Sequence, residues 1–128
     1  DGGATFVDAR PPAQFSGKVK TKPVQAYGHL PNAENIDSSV YFDNQTHKLK
    51  PKAELASLSS QVKGPAVSYC NTGHWAATDW FVLHELIGRS DVKLYDGSME
   101  EWTADAHRPV VSSRTKWDDL KKALGLAS

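Results

Sequence analysis

The sequence has one cysteine, no excess of charge and no long apolar run, and each shortage closes a class of function. With Cys70 alone among 128 residues, the chain can form no internal disulfide and no cysteine-rich zinc site. Its 15 basic residues balance 15 acidic ones. That removes any bulk pull toward nucleic acid or an anionic lipid surface. No apolar stretch approaches the roughly 20 residues that a bilayer-spanning helix needs, so neither nucleic acid nor membrane is expected as a partner. The 5 histidines are scattered without ligand spacing, and no metal or organic cofactor is implied. No internal repeat, low-complexity tract or signal peptide is visible. The chain starts at Asp1 rather than Met. It reads as a processed or excised piece, and the compartment stays open between cytoplasm and bacterial periplasm.

What is present is enough chain for one domain with one core, taken as residues 1–128. It is organised around Val67-Ser68-Tyr69-Cys70-Asn71-Thr72-Gly73-His74-Trp75-Ala76-Ala77. A short apolar run ends in Cys70, a tight loop with one glycine follows, and a helical pattern starts six residues on. Loop amides and the positive end of a helix dipole both favour negative charge. A lone cysteine is usually inert core; its place at a strand-to-helix loop is what marks Cys70 as a thiolate nucleophile.

In chain order, Ala4–Val7 reads as a strand, followed by Asp8 and Arg10 at its loop end and by Pro11-Pro12 opening a short helix through Phe15. Asp8 is best read as a member of a local ion pair or a loop-fixing carboxylate, whereas Arg10 is balanced between that role and an anion contact. Ser16–Ala26, with Lys18, Lys20 and Lys22, reads as an exposed basic loop; the sharper alternative is a lid that brings a cation to an anionic substrate. His29 reads as a hydrogen-bonded structural residue, and Ile36 falls in a short strand. Pro51–Val62 has Leu55, Leu58 and Val62 on one helical face. A buried-type strand over 66–69 leads to Cys70. The next helix places Ala76, Trp80, Leu83 and Ile87 on one face with Phe81 and His84 beside it; Trp80 and Phe81 are assigned to the core and His84 to a local partner. Val92–Tyr95 is a strand, Asp96 or Ser98 caps a short helix carrying Trp102 as a packing anchor, and a last helix starts near Thr115 with Trp117, Leu120 and Leu124 as its stripe and Gly125 as its end. Short strands alternating with helices predict an α/β fold with a central parallel sheet of about five strands and helices on both faces. Cys70 then lies at the carboxyl end of a central strand, where such sheets place ligands.

Four segments in order, Val7-Asp8-Ala9-Arg10, Gly28-His29-Leu30-Pro31-Asn32-Ala33, the Cys70 loop, and Tyr95-Asp96-Gly97-Ser98 with Glu101-Trp102, resemble a rhodanese (sulfurtransferase) domain. They are most similar to the catalytic C-terminal half of tandem-domain sulfurtransferases, so the chain is either a genuine single domain or one half of a tandem protein with a second rhodanese domain. The resemblance implies the rhodanese-like three-layer fold and a reaction in which Cys70 takes the outer sulfur of a small anionic donor such as thiosulfate. A persulfide forms and then yields its sulfur to a thiophilic acceptor, cyanide or a thiol. It also implies that the N–H groups of Asn71, Thr72, Gly73, His74, Trp75 and Ala76 cradle the persulfide and that Arg10 holds the donor anion.

The loop departs from the familiar patterns. Thiosulfate-preferring enzymes resemble Cys-Arg-Lys-Gly-Val-Thr and mercaptopyruvate-preferring ones Cys-Gly-Ser-Gly-Val-Thr. Here both loop cations are missing, Thr72 takes the serine place, and His74 and Trp75 are bulky. His74 is either a partial cation near neutral pH or a solvent-facing side chain. A second arginine of the family motif would fall near Gln14, so that contact is either missing or replaced by a nearby lysine. Thiosulfate is the first donor expected, with mercaptopyruvate or a persulfide second. A cysteine phosphatase or arsenate reductase is disfavoured, because no arginine lies between Cys70 and Ala77 to clamp an oxyanion. A non-enzymatic persulfide carrier or binding module is the remaining alternative.

Overall fold

A computed structural model describes residues 4–113, Leu120, Leu124 and Gly125. Four strands carry the architecture: β1 (Thr5–Asp8), β2 (Ala33–Asn35), β3 (Ala66–Tyr69) and β4 (Val92–Leu94). They form one sheet in the order β2-β1-β3-β4, with every neighbouring pair parallel. Among the described residues the sheet therefore has four strands rather than about five. β1 and β3 are central and in register from Thr5 opposite Ala66 to Asp8 opposite Tyr69. Ile36 follows β2 rather than lying inside it, although its N–H still reaches the Asp8 carbonyl at 2.9 Å.

Alternation along β1 and β3 splits the core into two layers. Val7 and Ala66 face one side, packed with Ile36, Tyr41, Leu55, Val62, Val82, Leu83 and Val92. Phe6 and Tyr69 face the other, with Val24, Leu30 and Met99. A third, small cluster of Ala9, Cys70 and Ala76 closes the carboxyl end of the sheet.

The helices are α1 (Pro12–Ser16), α2 (Lys52–Leu58), α3 (His74–Trp80) and α4 (Ser98–Thr103). A 3₁₀ turn covers Ser38–Tyr41, and a π-helical segment, Phe81–Leu86, continues α3. Pro12 opens α1, where a missing N–H costs nothing, and Gly17 closes it in the left-handed region. α2 is shorter than its apolar pattern suggested. It stops at Ser59, whose hydroxyl meets the Tyr41 hydroxyl at 2.9 Å, and Val62 is buried from the turn that follows. The π-helical segment corrects the reading of Phe81 as core. Widening the helix by one residue per turn shifts its faces; Val82 and Leu83 are buried and Phe81 is 43% exposed. Trp80 does pack against the core and donates its indole N–H to the Val92 carbonyl at 3.1 Å, while His84 pairs with Glu85. Trp102 packs beside Met99 and donates to the Pro109 carbonyl. The expected last helix, including Thr115, Trp117 and Asp118, lies outside the described residues apart from Leu120, Leu124 and Gly125.

His29 has the structural role expected of it. Its Nδ1 sits 2.7 Å from the Phe15 carbonyl, its ring stacks on Phe15, and its main chain pairs with Val111. The neighbouring Gly28 has φ +115°, and a Cβ there would lie 2.1 Å from the Val111 carbonyl oxygen. Gly28→Ala is expected to destabilise the fold by about 1–3 kcal/mol or more, measured by urea unfolding; wild-type stability would show that the Val111 segment moves aside at no cost.

Candidate functional site

β3 delivers Cys70 to the carboxyl edge of the sheet, and two groups of donors fix its main chain there. The Cys70 N–H donates to Ser98 Oγ at 2.9 Å. The Cys70 and Asn71 carbonyls accept from the Met99 and Glu100 N–H groups, both at 2.9 Å. Ser98 was expected, with Asp96, as a candidate helix cap; neither side chain caps α4. The Ser98 hydroxyl instead donates to the Tyr95 carbonyl while accepting from Cys70, and Ser98 holds φ +52°, an unusual backbone state for a residue with a Cβ. The first turn of α4 is thus a bracket under the cysteine loop.

The loop is tight. Gly73, at φ +110°, is the N-cap of α3, so the helix starts four residues after Cys70, at His74, rather than six. A Cβ on Gly73 would lie 2.9 Å from the Asp96 carbonyl oxygen. The Gly73 N–H donates to Cys70 Sγ at 3.0 Å. The first N–H groups of α3, from His74 to Ala76, have no intrahelical acceptor, and they sit at the positive end of the helix dipole. Cys70 itself is only 2% exposed, but it opens on a cavity of about 370 Å³ lined by Thr21, Pro23, Cys70, Asn71, Thr72, His74 and Trp75.

The site residues expected from the sequence therefore separate into walls and supports. Cys70, Asn71, Thr72, His74 and Trp75 line the cavity; Gly73 and Ala76 lie behind it. Arg10 is fully buried and is not a wall. Its Nε and Nη2 hold the Asp8 carboxylate at 2.9 and 2.7 Å, Nη2 also reaches the Gly28 carbonyl, and Nη1 approaches Asn71 Oδ1 at 3.4 Å. Burial opposes its charge, but the Asp8 carboxylate outweighs that and raises the guanidinium above its ordinary value. Of the two readings open for Arg10, the structure shows the ion pair with Asp8; its other neighbour Asn71 donates its amide nitrogen to Gln14 Oε1 at 2.7 Å. The basic loop does border the cavity, through Thr21 and Pro23 rather than its lysines; Lys20 lies over the Tyr27 ring.

Sequence reasoning passed over Asp79 on α3. It is completely buried, and among the described residues neither carboxyl oxygen has a hydrogen-bond partner. Burial above all, then Asp8, Asp37 and Cys70 nearby, pushes its carboxyl well above the ordinary carboxylate range. An unpaired buried polar group costs about 1–3 kcal/mol. Burying Val82 and Leu83 just beyond it contributes about 1.5–3 kcal/mol each, enough to keep the helix docked. An apolar pattern search reads an acid inside a helix as its solvent side, so only an odd Asp on the Ala76-to-Leu83 face could have flagged it.

The family profile described as Rhodanese-like domain matches residues 1–105. A "Thiosulfate sulfurtransferase" of Corynebacterium glutamicum is 38% identical over 119 residues, covering 85% of this chain and 38% of its own length. A Haloferax volcanii relative that carries the same name provisionally is 34% identical, over 86% of this chain and 41% of its own. The chain thus spans about two-fifths of the curated relatives it matches. Among solved structures, the Tum1 protein of Saccharomyces cerevisiae superposes with a TM-score of 0.70 at 24% identity, over 88% of this chain and 41% of that one. An anaerobic ergothioneine biosynthesis enzyme from Chlorobium limicola does so with a TM-score of 0.75 at 22% identity, over 88% and 29%. At those identities the likeness is one of fold.

Two outcomes follow from the buried charges. Arg10→Ala leaves the Asp8 carboxylate buried without its partner and should cost about 3–5 kcal/mol in denaturant unfolding; a loss of donor affinity at unchanged stability would select the direct-contact role instead. Asp79, raised in the folded state, stabilises fully below its unfolded value near about 4, and that contribution is lost as pH rises through the folded value. In a pH series of unfolding free energies, Asp79→Asn should remove this downward slope.

Proposed function

The chain belongs to the rhodanese-like domain family, and on that footing we propose that it is a sulfurtransferase which carries sulfane sulfur on Cys70. One observation carries the reading: the only cysteine lies at the carboxyl end of a central strand, opens on the cavity and receives the Gly73 N–H on its sulfur. With thiosulfate, the Cys70 thiolate attacks the outer sulfur. The Cys–S bond forms as the S–S bond of thiosulfate breaks, sulfite leaves with the electron pair, and a persulfide anion remains. Cyanide or a thiolate then attacks that terminal sulfur, and the electron pair returns to Cys70. The sulfur is anionic before and after each step, so donors fixed by the fold act throughout without reorienting. Gly73 supplies the recorded donor, and the free amides at the start of α3 are the remaining candidates. Arg10 acts as a positioning residue through Asn71.

Thiosulfate is supported by the names of the relatives. A specific feature favours a second donor class, mercaptopyruvate or an organic persulfide. Among the described residues no lysine or arginine is a cavity wall, while Pro23 and Trp75 are, which suits an organic body better than a small dianion. A second rhodanese-like domain is the partner suggested by the greater length of the relatives; a carrier that hands its sulfur to a protein thiol is the non-enzymatic form of the same reading.

Treatment with thiosulfate should add the mass of one sulfur to Cys70, and cyanide should discharge it as thiocyanate. Cys70→Ser should lose both. Absence of the adduct with thiosulfate, mercaptopyruvate and organic persulfides alike would overturn the proposal. Discharge to a protein thiol but never to small acceptors would select the carrier.

A further inference from the structure

Around Asp79 the charges do not balance. Asp8, at the end of β1, is paired with Arg10, which is completely buried and engaged by Asp8, Gly28 and Asn71. Asp37, before the 3₁₀ turn, accepts the Ser39 N–H, and the Tyr41 hydroxyl of that turn meets Ser59. On the π-helical segment His84 and Glu85 pair with each other, and Lys93 on β4 is exposed. Cys70 completes the set: it packs against Ala76, which lies three residues before Asp79 on the buried face of α3. No cation in this set is left for Asp79, and among the described residues neither of its oxygens has a donor. Cys70 by contrast has the Gly73 N–H and an opening to the cavity.

A carboxyl group buried in a dry interior without a cation or a donor keeps its proton. We propose that Asp79 is a positioning residue for the Cys70 reaction: a neutral carboxylic acid on the helix behind the loop, which leaves the sulfur as the one uncompensated anion of the site. The inference rests on the sulfurtransferase reading, in which Cys70 is anionic as thiolate and again as persulfide. A carboxylate at position 79 would set a second negative charge against both forms, and against the approach of an anionic donor. The coupling is reciprocal: whatever an anion at Cys70 does to Asp79, an anion at Asp79 does to the sulfur.

The test pairs a spectroscopic signature with a pH profile. An infrared band of a protonated carboxyl, assigned to Asp79 by its loss in Asp79→Asn, should be present near neutral pH and vanish as pH rises. Capping Cys70 of the wild-type chain with iodoacetamide, or Cys70→Ser, removes the anion and should move that midpoint to lower pH. Single-turnover sulfur loading from thiosulfate should fall about fivefold or more as wild type passes its midpoint, whereas Asp79→Asn should load at the same rate on both sides. Absence of the band near neutrality, a midpoint indifferent to capping, or an alkaline fall that persists in Asp79→Asn would each overturn the proposal. If Asp79→Asn fails to fold, the shift on capping decides the matter in the wild-type chain. A wild-type chain that loads no sulfur from any donor refutes the sulfurtransferase reading instead, and the carboxyl band still reports whether the two groups are coupled.

Discussion

A completely buried ion pair, Asp8 with Arg10, holds the carboxyl edge of the sheet together. It ties the end of β1 to the Gly28 turn through the Gly28 carbonyl and to the cysteine loop through Asn71. Burying two charges is costly, and the cost is offset only where every donor and acceptor is used. Here the carboxylate also accepts the Arg10 main-chain N–H at 2.9 Å, and the Arg10 carbonyl accepts from the Asn35 side chain. The pair therefore fixes the spacing of three chain segments at the carboxyl edge of the sheet.

On that frame the cysteine is constrained by backbone rather than by side chains. Its peptide is gripped from below by Ser98 and the first amides of α4, and its sulfur is met from above by Gly73. The glycine is needed because its backbone is left-handed and the Asp96 carbonyl leaves no room for a Cβ. The left-handed Ser98 shows the same priority: local strain is tolerated where it aims a hydroxyl at the Cys70 amide.

Much of this was legible in the residues. Cys70 reads as a strand end because apolar residues precede it and a glycine-bearing loop follows, both local signals. The same holds for Pro12 at the start of α1 and for the parallel alternation of strands and helices. What escaped depends on contacts distant in sequence or on departures from a regular period. Arg10, legible only as either an ion pair or an anion contact, turns inward because Asp8, Gly28 and Asn71 converge on it. Phe81 turned outward because the helix changes pitch at Trp80. Asp79 was hidden by the ordinary rule that acids face water, which fails where a helix packs over a sheet end on small residues such as Ala76.

The bracket formed by α4 ties reactivity to local cohesion. The amide hydrogens of Met99 and Glu100 are covered by the carbonyls of Cys70 and Asn71 themselves, so they can trade with solvent deuterium only when the loop lifts from the helix. These two positions are sentinels for the working geometry: any ligand that tightens the loop slows their exchange in step, even when it touches neither residue.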